Sequence, residues 1–188
     1  MLSTYLHGLQ WFALSVKIRS ERSVANLLET KGYEAFVPTY EETHQWSDRC
    51  KQIKVPLFTR YVFCRFDGRV RSPVLTTPGV VSIVGTPAGP IPIDDHEIDA
   101  LMRLPASGAA CQPWPFGQAG QKVRVRRGPL SGVEGILVQS KKHCRLVLSV
   151  TLLQRSVAIE VDAASVECMP DRPSQATGYL RSSDALKI

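Results

Sequence analysis

Residues 11–18, WFALSVKI, alternate in character, with Phe12, Leu14, Val16 and Ile18 on one side of an extended chain and Trp11, Ala13, Ser15 and Lys17 on the other. That period of two predicts a strand with one buried face. RSERSVANLLETKG (19–32) then changes period. Val24, Leu27 and Leu28 form a stripe at helical spacing, Ser20 stands where a cap belongs, Glu21 sits in the positive first turn, and Gly32 follows Lys31 as a stop. YEAFVPTY (33–40) returns to strand character, EETHQWSDRCKQ (41–52) reads as a polar connection, and VPLFTRYVFCRF (55–66) is a long β-rich segment. RSPVLTTPG (71–79) leads to another strand, VVSIVG (80–85), and IDDHEIDALMRL (93–104) predicts a second helix. There Asp94 is the cap, Glu97 is placed to reach back to it, and Ile98, Leu101 and Met102 share a face. Strand, helix, strands and helix within residues 1–105 predict an α+β sandwich, one mixed or antiparallel sheet with helices packed on it.

The pattern stops at PASGAACQPWPFGQ (105–118), which is small, rich in Pro and Gly and aperiodic, so 106–118 reads as a flexible linker. From 119 to 170 short alternating runs recur, KVRVR, VEGILV, CRLVLSV and SVAIEV, divided by GPLSG, QSKKH and TLLQR. Each is too small to bury a face alone, and together they predict a small all-β barrel. In GQKVRVRRGPLSGVEGILV (120–138), Val123 and Val125 are expected to point inward and Arg124 and Arg126 outward. Gly128, Pro129 and Gly132 are expected to make the turn, and Gly135 to let another backbone approach. The tail, 171–188, carries no sustained pattern and is expected to be mobile.

Charge sharpens this division. The net +6 is uneven: residues 1–105 hold 12 Lys/Arg against 11 Asp/Glu, whereas 106–188 hold 11 against 6. The second part suits an RNA, DNA or acidic protein neighbour. Five cysteines at 50, 64, 111, 144 and 168 include no CxxC pair and read as reduced thiols of a cytoplasmic protein. No stretch approaches the roughly 20 apolar residues of a membrane span, and the start of the chain lacks the basic region of a signal peptide.

Candidate chemistry is sparse. The acidic run IDDHEID (93–99) could suggest a metal, but helix capping accounts for Asp94 and Glu97. His143 and Cys144 are neighbours on opposite sides of a strand, and neither a Walker loop nor zinc spacing occurs. The expectation is no enzyme, no catalytic residue, no cofactor and no metal.

GQKVRVRRGPLSGVEGILV resembles the KOW motif of SH3-like barrels found in NusG-type transcription factors and some ribosomal proteins. WFALSVK, a helix ending in glycine, YEAFVP, PLFTRYVFCRF and TTPGVVSIVG follow in the order of the NusG N-terminal (NGN) domain, and LLQRSVAIEVDAASVE is similar to the last strands of its KOW barrel. The resemblance covers about residues 11–168 and extends to the specialised branch of RfaH and the UpxY-like polysaccharide-operon regulators. It implies a transcription elongation factor acting in pausing, antitermination or termination, with RNA polymerase as partner through its clamp helices. It also implies, in the KOW domain, the ribosomal protein NusE (small ribosomal subunit) or the termination factor Rho. Non-template DNA is a further expected partner, no membrane is expected, and the chain is expected to be a monomer.

By the same resemblance the polymerase-binding residues are Trp11, Ser15, Phe58, Tyr61, Phe63 and Arg65, an exposed aromatic cluster rimmed by Arg60 and Arg65. The family commonly has Pro-Gly where this chain has Thr59-Arg60, which alters that turn. Residues 43–71 hold seven Lys/Arg and two Asp, and Trp46 and Arg49 there suit phosphate attraction and base stacking with DNA. Arg69, Arg71 and Ser72 are implied as a second polymerase contact, and Arg126, Arg127 and Leu130 as the KOW partner surface. Read from the residues alone, the aromatics can equally be core, 43–71 a solvated hairpin tip, and Leu130 a plug for the barrel mouth. A second function stays open: a KOW-type RNA-binding ribosomal or translation protein using the basic barrel.

Overall fold

A computed structural model describes residues 8–45, 50–117, 120–139 and 144–169. The chain forms β1 (Leu9–Val16), α1 (Glu21–Thr30), β2 (Glu34–Phe36), β3 (Thr39–Gln45), β4 (Cys50–Pro56), β5 (Tyr61–Asp67), the single turn α2 (Ser72–Leu75) and β6 (Val80–Ile83). The short pair β7 (Gly85–Thr86) and β8 (Gly89–Pro90) precedes α3 (Asp95–Ser107). Then come β9 (Cys111–Trp114), β10 (Gln121–Val125), β11 (Glu134–Gln139), β12 (Cys144–Val150), β13 (Arg155–Val161) and β14 (Val166–Cys168). This is the α+β organisation expected from periodicity, with a β-rich C-terminal part.

The first sheet is four-stranded, in the order β2-β5-β1-β6, with β1 antiparallel to both neighbours. Its first face carries Phe12, Leu14, Val16, Val62, Cys64 and Phe66, sealed by Val24, Ala25 and Leu28 of α1. The stripe of α1 therefore runs through Ala25, and Leu27, expected in it, is 40% exposed. Ile18 likewise lies past the end of β1 and stands in solvent. The other face of β1, expected to be open, is closed too, with Trp11 and Ala13 buried. α3 is the cause, as its Ile98, Leu101 and Leu104 join Trp11, Ala13 and Phe63 in one core.

The polar stretch 41–52 is largely the two-stranded ribbon β3–β4, with Glu41 opposite Lys54 and Glu42 opposite Ile53. A ribbon outside the main sheet needs no apolar face, so period-two hydrophobicity is missing from its sequence. Similarly, residues 111–114 of the expected linker are strand β9, which pairs antiparallel with β13.

The C-terminal sheet has the order β14-β10-β11-β12-β13-β9. Val123, Val125, Leu137, Leu146, Leu148, Val157 and Ile159 all point to one side and are at most 8% exposed. A single-layer sheet hides one face this fully only by curling around it. Gly135 permits the close packing, because a Cβ there would lie 2.7 Å from the Val147 carbonyl oxygen.

Ser20 occupies the N-cap of α1, but its side chain makes no capping bond. The next residue, Glu21, turns inward, is 3% exposed and accepts the Arg60 amide at 2.8 Å. Arg60 in turn offers its carbonyl to the Val16 amide at 2.9 Å and holds φ at +70°. That is the left-handed region, strained for a residue with a side chain. Glu21→Ala, which orphans the Arg60 amide, is expected to cost about 1–3 kcal/mol in urea unfolding. Arg60→Gly should be neutral or stabilising by up to about 1 kcal/mol. A clear loss of stability in Arg60→Gly would refute strain at this turn.

Candidate functional site

Ladder register brings the sequence candidates together. β1 and β5 pair Trp11 with Arg65, Ala13 with Phe63 and Ser15 with Tyr61, while β2 adds Glu34 opposite Arg65 and Phe36 opposite Phe63. Trp11, Ser15, Tyr61, Phe63 and Arg65 thus share one face, since alternate residues of paired strands point the same way. Phe58, in the turn before β5, meets Phe63 edge-on with ring centroids 5.7 Å apart. Phe36, not singled out from sequence, stacks on Phe63 at 5.5 Å and meets Trp11 edge-on at 6.3 Å. Its only signal was its alternation with Ala35 in a three-residue strand.

This cluster is not an exposed patch. Trp11 and Phe58 are 3% exposed and Phe63 is wholly buried, because α3 and the neighbouring Ile93 lie over them. The Ile93 amide also donates to the Trp11 carbonyl at 2.8 Å. What remains accessible is the far end of the face, where Ser15 and Tyr61 are half-buried and Ser82 is exposed. Arg65 stands at the opposite end of the face, across from Trp11 and 3.4 Å from Glu34.

α3 also meets the C-terminal sheet. Asp94 caps the helix by accepting the His96 amide at 2.8 Å. Glu97 does not reach back; its carboxylate accepts the Thr151 hydroxyl at 2.7 Å and the Thr151 amide at 3.2 Å. Nearly two turns further along, Arg103 donates to the Ser131 carbonyl at 2.8 Å. A polar cleft of about 740 Å³ lies between the two parts, lined by His96, Asp99, Arg124, Glu134 and Ser149 among others. Burial raises the Glu97 pKa above the ordinary 4.5, a shift that the Thr151 hydrogen bonds only partly oppose.

The remaining candidates are scattered. Trp46 and Arg49 lie outside the described residues. Arg69 grips Asp67 with both ends of its guanidinium, at 2.7 and 2.9 Å, and holds that carboxyl down at about 2. Arg71 precedes α2, which Ser72 begins, and both are exposed. Leu130, expected as a loop contact, is 6% exposed and packs into the core, so it closes the sheet's mouth. Arg126 lies 3.5 Å from Glu167, and Arg127 is exposed. Among the described residues no group of His, Cys, Asp and Glu is arranged to hold a metal, and the Cys64 thiol is pushed up to about 12 by burial.

With this geometry in view, residues 9–102 match the family model described as transcription termination factor nusG. The chain belongs to the NusG family. A Buchnera aphidicola transcription termination/antitermination protein NusG is 31% identical over 140 residues, 71% of this chain and 77% of that protein. The NusG of Escherichia coli O6:H1 is 29% identical over 159 residues, 82% of this chain and 87% of its own. Among solved structures, "Domain interaction in Thermotoga maritima NusG" superposes with a TM-score of 0.50 at 17% identity, covering 86% of this chain and 98% of that one, a likeness of fold. As a NusG-family member the chain is a transcription factor and not an enzyme.

The Glu97 contact yields a pH test. Its folded pKa is raised, so its contribution to stability is full below pH 4.5 and is lost as pH rises through the folded value. Glu97→Gln, which keeps an oxygen for Thr151 and cannot ionise, is expected to flatten the stability profile from pH 4.5 upward, read by urea unfolding at several pH values. An unchanged profile would show that Glu97 is solvated rather than buried against Thr151.

Proposed function

We propose that this chain is a NusG-type elongation factor whose N-terminal sheet docks on the clamp helices of RNA polymerase and modulates pausing, antitermination or termination. The observation carrying this reading is the half-closed aromatic face. Ser15 and Tyr61 lie at its open end, Arg65 is at its rim, and Trp11, Phe36, Phe58 and Phe63 form a rigid backing beneath. A half-buried tyrosine on a rigid floor suits a protein anchor, since little side-chain freedom is lost on binding. In this proposal Trp11, Phe58 and Phe63 shape the surface and Tyr61, Ser15 and Arg65 touch the partner.

The C-terminal sheet, whose 120–138 segment resembles a KOW motif, recruits NusE or Rho in the same proposal, through a surface that includes Arg126 and Arg127. The β3–β4 ribbon contributes the DNA contact, its connection holding Trp46 and Arg49. Arg71, exposed before α2, is the second polymerase contact. The factor works as a monomer in the bacterial cytoplasm, where the polymerase is. The domain limits proposed are 1–105 and 119–170, joined by a connection that includes β9.

The test is the affinity of the full chain for core RNA polymerase. Tyr61→Ala and Ser15→Arg are each expected to weaken it about tenfold or more, equivalent to about 1.4 kcal/mol, while unfolding stays close to wild type. Phe63→Ala is the wrong probe, because emptying this buried site costs about 3–5 kcal/mol of stability. Unchanged affinity in both variants would remove this face as the docking surface and leave family membership untouched.

A further inference from the structure

The docking face as described leaves the buried carboxylate of Glu21 without a task. Glu21 stands in the first turn of α1, is 3% exposed, and its Oε1 accepts the Arg60 amide at 2.8 Å. A carboxylate taken out of water is costly to keep unless it is hydrogen-bonded. α1 does not require it there, since Ser20 fills the N-cap and an acid in solvent would serve the helix dipole as well. The bond instead reaches across 39 positions of chain to a single peptide group in a single turn.

That turn runs from Phe58 to Tyr61 and is closed by the Tyr61 amide, which donates to the Phe58 carbonyl at 3.2 Å. Arg60, its third residue, holds φ at +70°, whereas Thr59 before it is not among the residues with positive φ. Positive φ at the third position alone marks a type II turn, which favours glycine there. The commoner type I turn differs by a flip of the central peptide and sets its third residue at about −90°, where any side chain is at ease. The N–H of that central peptide, Thr59–Arg60, is the one Glu21 holds. The turn leading into α1 has the same character, with the Ser20 amide donating to the Lys17 carbonyl at 3.1 Å and Arg19 in third place at φ +62°. Two arginines thus stand in glycine-favouring positions at the end of the sheet where Ser15 and Tyr61 are accessible. Positive φ is uncommon for such residues and persists only where the surroundings impose it.

We propose that Glu21 is a positioning residue for polymerase docking, holding the Thr59–Arg60 peptide in its glycine-like orientation and so setting the surface that Thr59 and Arg60 present beside Tyr61. This role presupposes the docking of that face proposed above. Glu21, being buried, touches no partner itself. The ends of the turn are fixed, with Phe58 in the core at 3% exposed and the Arg60 carbonyl held by the Val16 amide at 2.9 Å. Only its middle is free to invert. A flip of the central peptide reverses the Thr59 carbonyl and swings the Arg60 side chain, because the direction of a Cβ follows φ. Thr59 and Arg60 are both exposed, so the change falls on the surface next to Tyr61.

The test is a double-mutant cycle on the full chain with two readouts. One is affinity for core RNA polymerase. The other is the nuclear Overhauser contact between the Thr59 Hα and the Arg60 amide proton, which is strong in type II because ψ of about +120° at the second residue brings them together. Glu21→Ala is expected to weaken that contact and to lower affinity about fivefold or more. Glu21→Gln, which keeps an acceptor for the Arg60 amide, should preserve both. In an Arg60→Gly background Glu21→Ala should change affinity by less than about twofold, since glycine holds a type II turn unaided. Glu21→Met, similar in length and without an acceptor, serves the same cycle where the alanine variant does not fold. An equal loss in both backgrounds assigns Glu21 to the stability of α1 and overturns the proposal. An unchanged contact in a natively folded Glu21→Ala chain overturns it too. Tyr61→Ala, run alongside, separates the two readings. If it weakens binding while Glu21→Ala does not, the positioning role alone fails; if it binds as wild type does, the docking face fails and this role with it.

Discussion

The four-stranded sheet has two apolar faces and must bury both, and most of the architecture follows from how it does so. One face is sealed by α1, through Val24, Ala25 and Leu28, together with Val74 of α2. The other carries Trp11, Phe36, Phe58 and Phe63, a larger and more irregular surface, and α3 covers only part of it. Aromatic rings at 5.5–6.3 Å centroid spacing pack among themselves as well as against the helix, so the floor stays rigid even where no helix lies above it. Incomplete coverage leaves the Ser15–Tyr61 end accessible. The constraint that builds the core therefore also leaves the surface on which a partner can sit.

α3 is shared between the two halves of the chain, and its sequence shows the division. Ile98, Leu101 and Leu104 recur at three-residue spacing and face the sheet. Glu97, one turn before Leu101 on the same side, and Arg103 hold Thr151 and the Ser131 carbonyl. These polar contacts are few, and one uses a carboxylate that burial makes harder to ionise. The joint between the halves therefore combines these hydrogen bonds with a shared apolar core, in which Leu101 and Leu104 lie in one buried cluster with Leu146, Leu148 and Val157, and β9 also reaches across.

Much of this was legible in the sequence, for reasons that also mark where reading stopped. Alternation in WFALSVK and YVFCRF put Trp11 and Phe63 on the faces they occupy, because side-chain direction in a strand depends only on parity. Parity says nothing of what lies above a face, so the burial of Trp11, Phe58 and Phe63 was not readable; that depends on where α3 packs, and α3 begins only at Asp95, well beyond the end of β5 at Asp67. Glu97 stood at a capping-box position, and local spacing could not reveal that Thr151, far along the chain, would take its carboxylate. β9 was hidden by Pro113 and by its small neighbours, which read as linker, since a guest strand on an existing edge needs no hydrophobic period of its own. Arg60 was noticed only as a departure from the family's Pro-Gly, and its positive φ shows the backbone retaining a glycine's conformation without the glycine.

Charge on the C-terminal sheet depends on where its acids fall in the fold. The basic run 120–138 read as an electropositive outer face, a reading that supported RNA binding. In the folded sheet Arg124 is paired with Glu134 across the β10–β11 ladder, Arg126 lies near Glu167, and Arg145 faces Glu160. Glu134 lies in the adjoining strand, while Glu160 and Glu167 come from β13 and β14, outside the run 120–138. Cations committed to neighbouring carboxylates release few counterions on meeting a phosphate backbone, and counterion release is the main source of salt-steep, sequence-blind affinity. The ion pairs at the surface contribute little to stability, typically about 0–1 kcal/mol each. Their effect is to quiet the field of the sheet where these pairs stand, while Lys122 and Arg127 remain exposed.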